Sequence, residues 1–116
     1  RRHGERGQRV DAQTAVLEAW QRQEAYYIRN NSYAKDVTQL EFNSISSEGL
    51  YNLTMSVTPT TCTGNHTTVC TGFAMTASPV TTKPQAQDSE CQSLTVNQLG
   101  TKSAKDANNS ASTKCW

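Results

Sequence analysis

Tyr51-Asn52-Leu53-Thr54-Met55-Ser56-Val57 alternates apolar and polar side chains without a break. A period of two marks a strand with one face on a core and the other in water. Outward toward the C-terminus, Val69, Thr71, Phe73, Met75 and Ala77 keep that period until Pro79 ends the run. Ser93-Leu94-Thr95-Val96-Asn97 is a third, shorter run, and Thr101 to Lys105, after the turn signal Gly100, is a fourth. Successive strands joined by short turns favour an antiparallel meander.

Toward the N-terminus the period changes. Val10 to Arg29 holds no Pro or Gly and is filled with Ala, Gln, Glu, Leu and Arg, which predicts a helix from about Arg9 to Arg29. Leu17, Trp20, Glu24 and Tyr27 fall three or four apart and predict the face laid on the sheet, with Val10, Val16 and Ile28 near the same stripe. Glu18, Arg22, Tyr26 and Arg29 predict the wet face, free for contact with another subunit, with Glu18 and Arg22 spaced as an intrahelical pair. Glu24, sharing its face with Trp20 and Tyr27, then needs a Tyr hydroxyl or a backbone amide as donor. Arg9 and Gln13 also project onto the apolar stripe, which predicts that the stripe leaves the sheet or frays at its start. Asn30-Asn31-Ser32 stops the helix, since Asn tolerates the left-handed conformation. Residues 30–49 read as a connecting loop pinned by Val37, Leu40, Phe42 and Ile45. The expected fold class is α+β: one domain spanning 1–116, its N-terminal amphipathic helix packed on an antiparallel sheet of about four strands within residues 50–116.

The chain has 116 residues, 34% of them hydrophobic, and a mean hydropathy of -0.70. Its core is thin and calls for a staple. Cys62, Cys70, Cys91 and Cys115 suit a disulfide framework in an oxidising compartment, with three pairings open. A zinc site is the competitor, but no C-x-x-C pair occurs and His3 is far from His66. Eleven basic and ten acidic residues leave a net charge of +1, so no global field draws nucleic acid or an anionic membrane. No run of eighteen apolar residues occurs. The start Arg1-Arg2-His3-Gly4-Glu5-Arg6-Gly7 is no signal peptide and reads as a cut from something longer.

No nucleophile, acid or base stands with partners, and no phosphate-binding loop or metal-spaced cluster appears, so no catalytic residue, metal or cofactor is expected. His66, in a Thr-rich loop, reads as solvent-exposed. Asn30, Asn52, Asn65 and Asn108 head Asn-x-Ser/Thr triplets, expected by chance in a chain this rich in those residues. Lys102, Lys105 and Lys114 gather near the C-terminus and Lys83 precedes them; without clear aromatic interleaving they make a weak nucleic-acid footprint, and a solvated face is the plainer reading.

Asp11-Ala12-Gln13-Thr14-Ala15-Val16-Leu17-Glu18, continued by Arg22 to Tyr27 and Asn30-Asn31-Ser32-Tyr33-Ala34, resembles the exposed half of the long N-terminal helix of minor type IV pilins. Asp88 to Lys102 resembles the strand that opens the pilins' disulfide-closed C-terminal region, and Cys115-Trp116 its closing cysteine. The resemblance covers essentially the whole chain and is strongest at its two ends. It implies the type IV pilin fold and a pairing of Cys91 with Cys115 and Cys62 with Cys70, the latter an addition that many such subunits lack. Closing the Cys91–Cys115 loop is worth roughly 3 kcal/mol in the chain-entropy model. The tail from Asp106 to Lys114 is mobile unless Cys115 ties it down. The implied function is a minor pilin that helps initiate or assemble a pilus and so supports twitching motility, adhesion or DNA uptake, with no enzymatic activity. The implied partners are other pilin subunits, met through the helix and an apolar half-helix that precedes it in the parent protein, the inner-membrane assembly machinery, and DNA or a host surface. The implied location is the inner membrane, with the headpiece in the periplasm, and the extracellular pilus; the chain by itself is expected to be monomeric. Two alternatives stand beside it: a DNA-binding competence pilin, and a type II secretion pseudopilin, against which cysteines stand where a calcium loop would be.

Overall fold

The computed structural model describes residues 2–116, with side chains from Gly4 onward. A long helix, α1 (Arg2–Asn30), is followed by β1 (Tyr51–Thr58), β2 (Gly72–Pro79), a 3-10 turn (Pro84–Gln87), β3 (Ser93–Asn97) and β4 (Lys102–Lys105). The four strands form one antiparallel sheet in sequence order. Met55 lies opposite Met75, Met75 opposite Val96, and Leu94 opposite Ala104, so the inward set of each strand continues on the next. The molecule is elongated, 48 × 25 × 20 Å.

Two boundaries differ from expectation. The helix begins seven residues before Arg9, because Arg, Glu and Gln sustain a helix and each Gly costs only about 1 kcal/mol. Gln85 also reaches it there, donating to the Glu5 carbonyl at 3.1 Å. The side chain of His3 lies outside the described residues. The second strand begins at Gly72 rather than Val69, because the Cys70 amide donates to Ser32 Oγ at 2.9 Å and its carbonyl accepts from the Tyr33 amide at 3.1 Å. Cys70 thus holds the helix exit, while the Thr71 amide still donates to the Thr58 carbonyl of β1 at 2.8 Å.

The buried helix face also differs. Ala12, Val16, Ala19 and Gln23 are fully buried and Ala15 nearly so, a stripe at i, i+4, i+7 and i+11. The expected stripe of Leu17, Trp20, Glu24 and Tyr27 is centred about 100° further round at 3.6 residues per turn. Leu17, Trp20 and Glu24 are half-buried, and Tyr27 is 40% exposed against Tyr33, ring centroids 4.7 Å apart. Val10 and Ile28, placed near the core stripe, are 55% and 81% exposed. The sheet supplies the bulk, from Tyr51, Leu53, Phe73, Met75, Leu94 and Val96, so the helix face against it must be small for the backbone to approach at native packing density. Large side chains are displaced to the flanks.

Polar residues on α1 hold what surrounds it. Arg9, expected at a frayed start, is 3% exposed; its Nε and Nη2 donate to both carboxylate oxygens of buried Asp88 at 2.7 Å, and Nη2 reaches Glu90 at 3.1 Å. The Asp88 hydrogen bonds raise the Arg9 pKa against the opposing effect of burial. Arg9 Nη1 also donates to the Lys114 carbonyl at 2.9 Å and Gln13 to the Cys115 carbonyl at 2.7 Å. Two residues on from Arg9, and so toward the other side of the helix, Asp11 accepts from the Ser46 hydroxyl and from the Glu48 and Leu50 amides, fixing the end of the connecting loop. Gln23 clamps Ala34, donating to its carbonyl at 3.0 Å and accepting from its amide at 2.8 Å. Asn31, at φ 55°, ends the helix.

Removing one partner of a buried ion pair strands the other charge. Arg9→Met is therefore expected to lower unfolding free energy by about 3–5 kcal/mol, read from urea melts; a loss under about 1 kcal/mol, the worth of an exposed pair, would reject the clamp. Burial raises the pKa of the Tyr51 phenol, with the Gln85 amide hydrogen bond opposing it. The unfolded chain then ionises first, so this group's contribution is complete below about pH 10 and declines as pH rises further. The alkaline fall in urea midpoint is expected to be shallower in Tyr51→Phe than in the unaltered chain.

Candidate functional site

Sheet order leaves β4 at an edge, where unpaired backbone groups invite association. Here the chain returns to cover its own edge. Lys105 forms a bridge with Ala111, the Ser112 amide donates to the Ala104 carbonyl at 3.0 Å, and the Trp116 indole Nε1 donates to the Ser103 carbonyl at 2.9 Å. Asp106 Oδ1 accepts from the Asn108 and Ser110 amides, and Asn109, at φ 60°, turns the chain back. Cys115 is bonded to Cys91 with Cα atoms 5.6 Å apart, so the tail, expected to be mobile unless Cys115 ties it down, is held by sulfur, by Arg9 and Gln13, and by β4.

Lys102, Lys105 and Lys114 are all exposed on this edge or on the segment that covers it. Lys83 is exposed on a different segment, the turn after β2, where its amide donates to the Val80 carbonyl at 3.0 Å. The Lys102 Nζ lies 5.3 Å from the centroid of the Trp116 ring, which is itself partly buried against the core. This aromatic among the lysines is what the sequence reading missed. The signal was there, since a Cys91–Cys115 bond forces residue 116 against the β3–β4 pair.

The four residues expected on a free helix face are not equally free. Tyr26 is half-buried and donates to the Gly64 carbonyl at 2.6 Å. Arg22 sits over the Phe42 ring at 5.2 Å and 3.7 Å from Glu18, folded down onto the connecting loop. Glu18 and Arg29 remain exposed. The loop closes this flank because Gln39 reaches across to the Thr63 carbonyl at 3.2 Å and fills the space a Cβ at Gly64, φ +79°, would occupy. The outward face of α1 is instead marked by Val10 and Ile28. Glu24 has no hydrogen-bond donor among the described residues.

Cys62 and Cys70, Cα atoms 5.2 Å apart, close the β1–β2 connection, with His66 exposed at its tip. An open cleft of 340 Å³ between α1 and the connecting loop is lined by Glu18, Arg22, Glu41, Phe42 and Ile45 among others. Among the described residues no three His, Cys, Asp or Glu converge as metal ligands. No helix of the described residues is long and apolar enough to cross a membrane.

The fold is shared with solved pilins. A type IV pilin from Shewanella oneidensis is 22% identical, with 84% of this chain and 89% of that one covered at a TM-score of 0.57. The non-core minor pilin PilV of Neisseria meningitidis is 23% identical, with 96% of each chain covered at a TM-score of 0.62. No curated protein matches the chain. Residues 1–95 match the family described as "Type IV minor pilin ComP, DNA uptake sequence receptor". That match takes in the helix, the connecting loop and the sheet through Val96's neighbour Thr95, and with it this chain is a member of the ComP family of type IV minor pilins.

Proposed function

We propose that this minor pilin serves DNA uptake, taking its place among other pilin subunits and contacting DNA directly through the β4 edge. The family match over residues 1–95 carries the DNA-uptake part of the reading, because the family is described as a DNA uptake sequence receptor; the β4 edge lies beyond the matched residues and rests on its own geometry. The lysine edge supports it: on a molecule whose net charge is only +1, three exposed lysines sit on or beside the edge strand, Lys102 on the face of Ala104 and Lys105 on the opposite one, so attraction to a phosphate backbone is local rather than global. Arg9 offsets only one of the carboxylates near this edge, so the local excess of positive charge is small. Asp88 and Glu90 face Arg9, and Asp106 is turned onto backbone amides.

Association with other subunits falls to the outward face of α1, where Val10 and Ile28 leave apolar surface in water. In the parent protein the headpiece would stand in the periplasm before entering an extracellular pilus, delivered by the inner-membrane assembly machinery. Deleting the gene is expected to abolish DNA uptake while pili still form; loss of pili and uptake in equal proportion would favour an assembly role instead.

Direct contact has its own test. Duplex DNA titrated at several salt concentrations should bind with log K falling linearly in log salt, with a slope of roughly -3 for three neutralised phosphates. Each of Lys102→Gln, Lys105→Gln and Lys114→Gln should reduce that slope by about 1, and Lys83→Gln should leave it alone. Retardation insensitive to salt, or an equal effect from Lys83, would reject the β4 edge as the site.

A further inference from the structure

Lysines on an exposed edge hold phosphates, and phosphate contacts position a duplex without gripping anything but charge. The β4 edge carries one group of a different kind. Trp116 donates its indole N–H to the Ser103 main-chain carbonyl of β4, so the ring's orientation is set by the sheet and not by a flexible partner. The ring is only partly buried, and the Lys102 ammonium stands over it, 5.3 Å from the centroid. Exposed cation–π contacts are weak, and an ammonium that meets a phosphate oxygen gains a stronger, charge-assisted hydrogen bond.

Resting on the DNA-contact reading, we propose that Trp116 is a DNA-contacting residue: Lys102 leaves the indole for a backbone phosphate, and the uncovered ring face packs on the deoxyribose and base edge beside it. The pair works as one unit because the same lysine that shields the ring in the free protein anchors the phosphate next to it in the complex. A neutral ring adds affinity without releasing counterions, so its contribution is separable from that of the lysines.

Fluorescence anisotropy of a labelled duplex, with the chain Arg1–Trp116, measures both effects. Trp116→Ala is expected to weaken binding roughly 10-fold at fixed salt with the salt slope unchanged. Lys102→Gln should lower the slope by about 1. Trp116→Phe, which keeps a ring and loses the N–H, should retain most of the affinity and guards against an alanine variant that fails to fold. In a Trp20→Phe background, Trp116 emission should change as duplex saturates the protein. Unchanged emission at saturation, or Trp116→Ala and Trp116→Phe both binding like the unaltered chain, would overturn the role of the indole while leaving the lysine edge standing. A flat isotherm for the unaltered chain would overturn DNA contact and this inference together.

Discussion

Arg9 holds the ends of the chain together. Its guanidinium is buried, engages Asp88 through both carboxylate oxygens, and reaches the Lys114 carbonyl with its remaining amino group. A buried cation is tolerated only when its donors are matched, so this geometry fixes three pieces at once: the helix, the turn before β3, and the C-terminal segment. The Cys91–Cys115 bond closes the same region from the other side. Covalent closure narrows the unfolded chain's freedom, whereas the ion pair specifies where the closed loop sits. Lys102, Lys105 and Lys114 share an edge because that segment is laid along β4 and cannot move off it.

The alanine face of α1 follows from the sheet beneath it. Tyr51, Phe73 and Met75 fill the layer from below, leaving room for methyl groups and little more. Bulk is excluded from the contact, so Trp20 goes to one flank, where its ring approaches Gly100, and Tyr26 to the other, against Gly64. Val10 and Ile28 are left facing away. The side of the helix left facing water is thus the one remaining after the sheet and two loops have taken theirs.

Both edges of the sheet are managed by the chain itself. Ser44 and Ser46 pair with Leu53 and Tyr51 along part of β1, and the C-terminal segment covers β4. Covered edges resist strand-to-strand aggregation, a hazard for a thin-cored subunit. At β4 the cover also brings the chemistry, since it carries Lys114 and Trp116 to a strand that holds only Lys102 and Lys105.

Local pattern by itself determined the helix, its stop at Asn31, and the strands Tyr51–Val57 and Ser93–Asn97, because period and turn chemistry are properties of neighbouring residues. It placed Lys102, Lys105 and Lys114 near one another, and it marked four cysteines for disulfides while leaving their partners open. Only tertiary structure decided which face of α1 is buried. Counting large apolar residues selects Leu17, Trp20 and Tyr27, but a close helix–sheet contact selects Ala12, Ala15 and Ala19, and that choice depends on bulk supplied by residues more than thirty positions away. The same holds for Arg9 and Asp88, 79 positions apart, and for Lys102 and Trp116: their partners are fixed by chain closure, which no local period encodes.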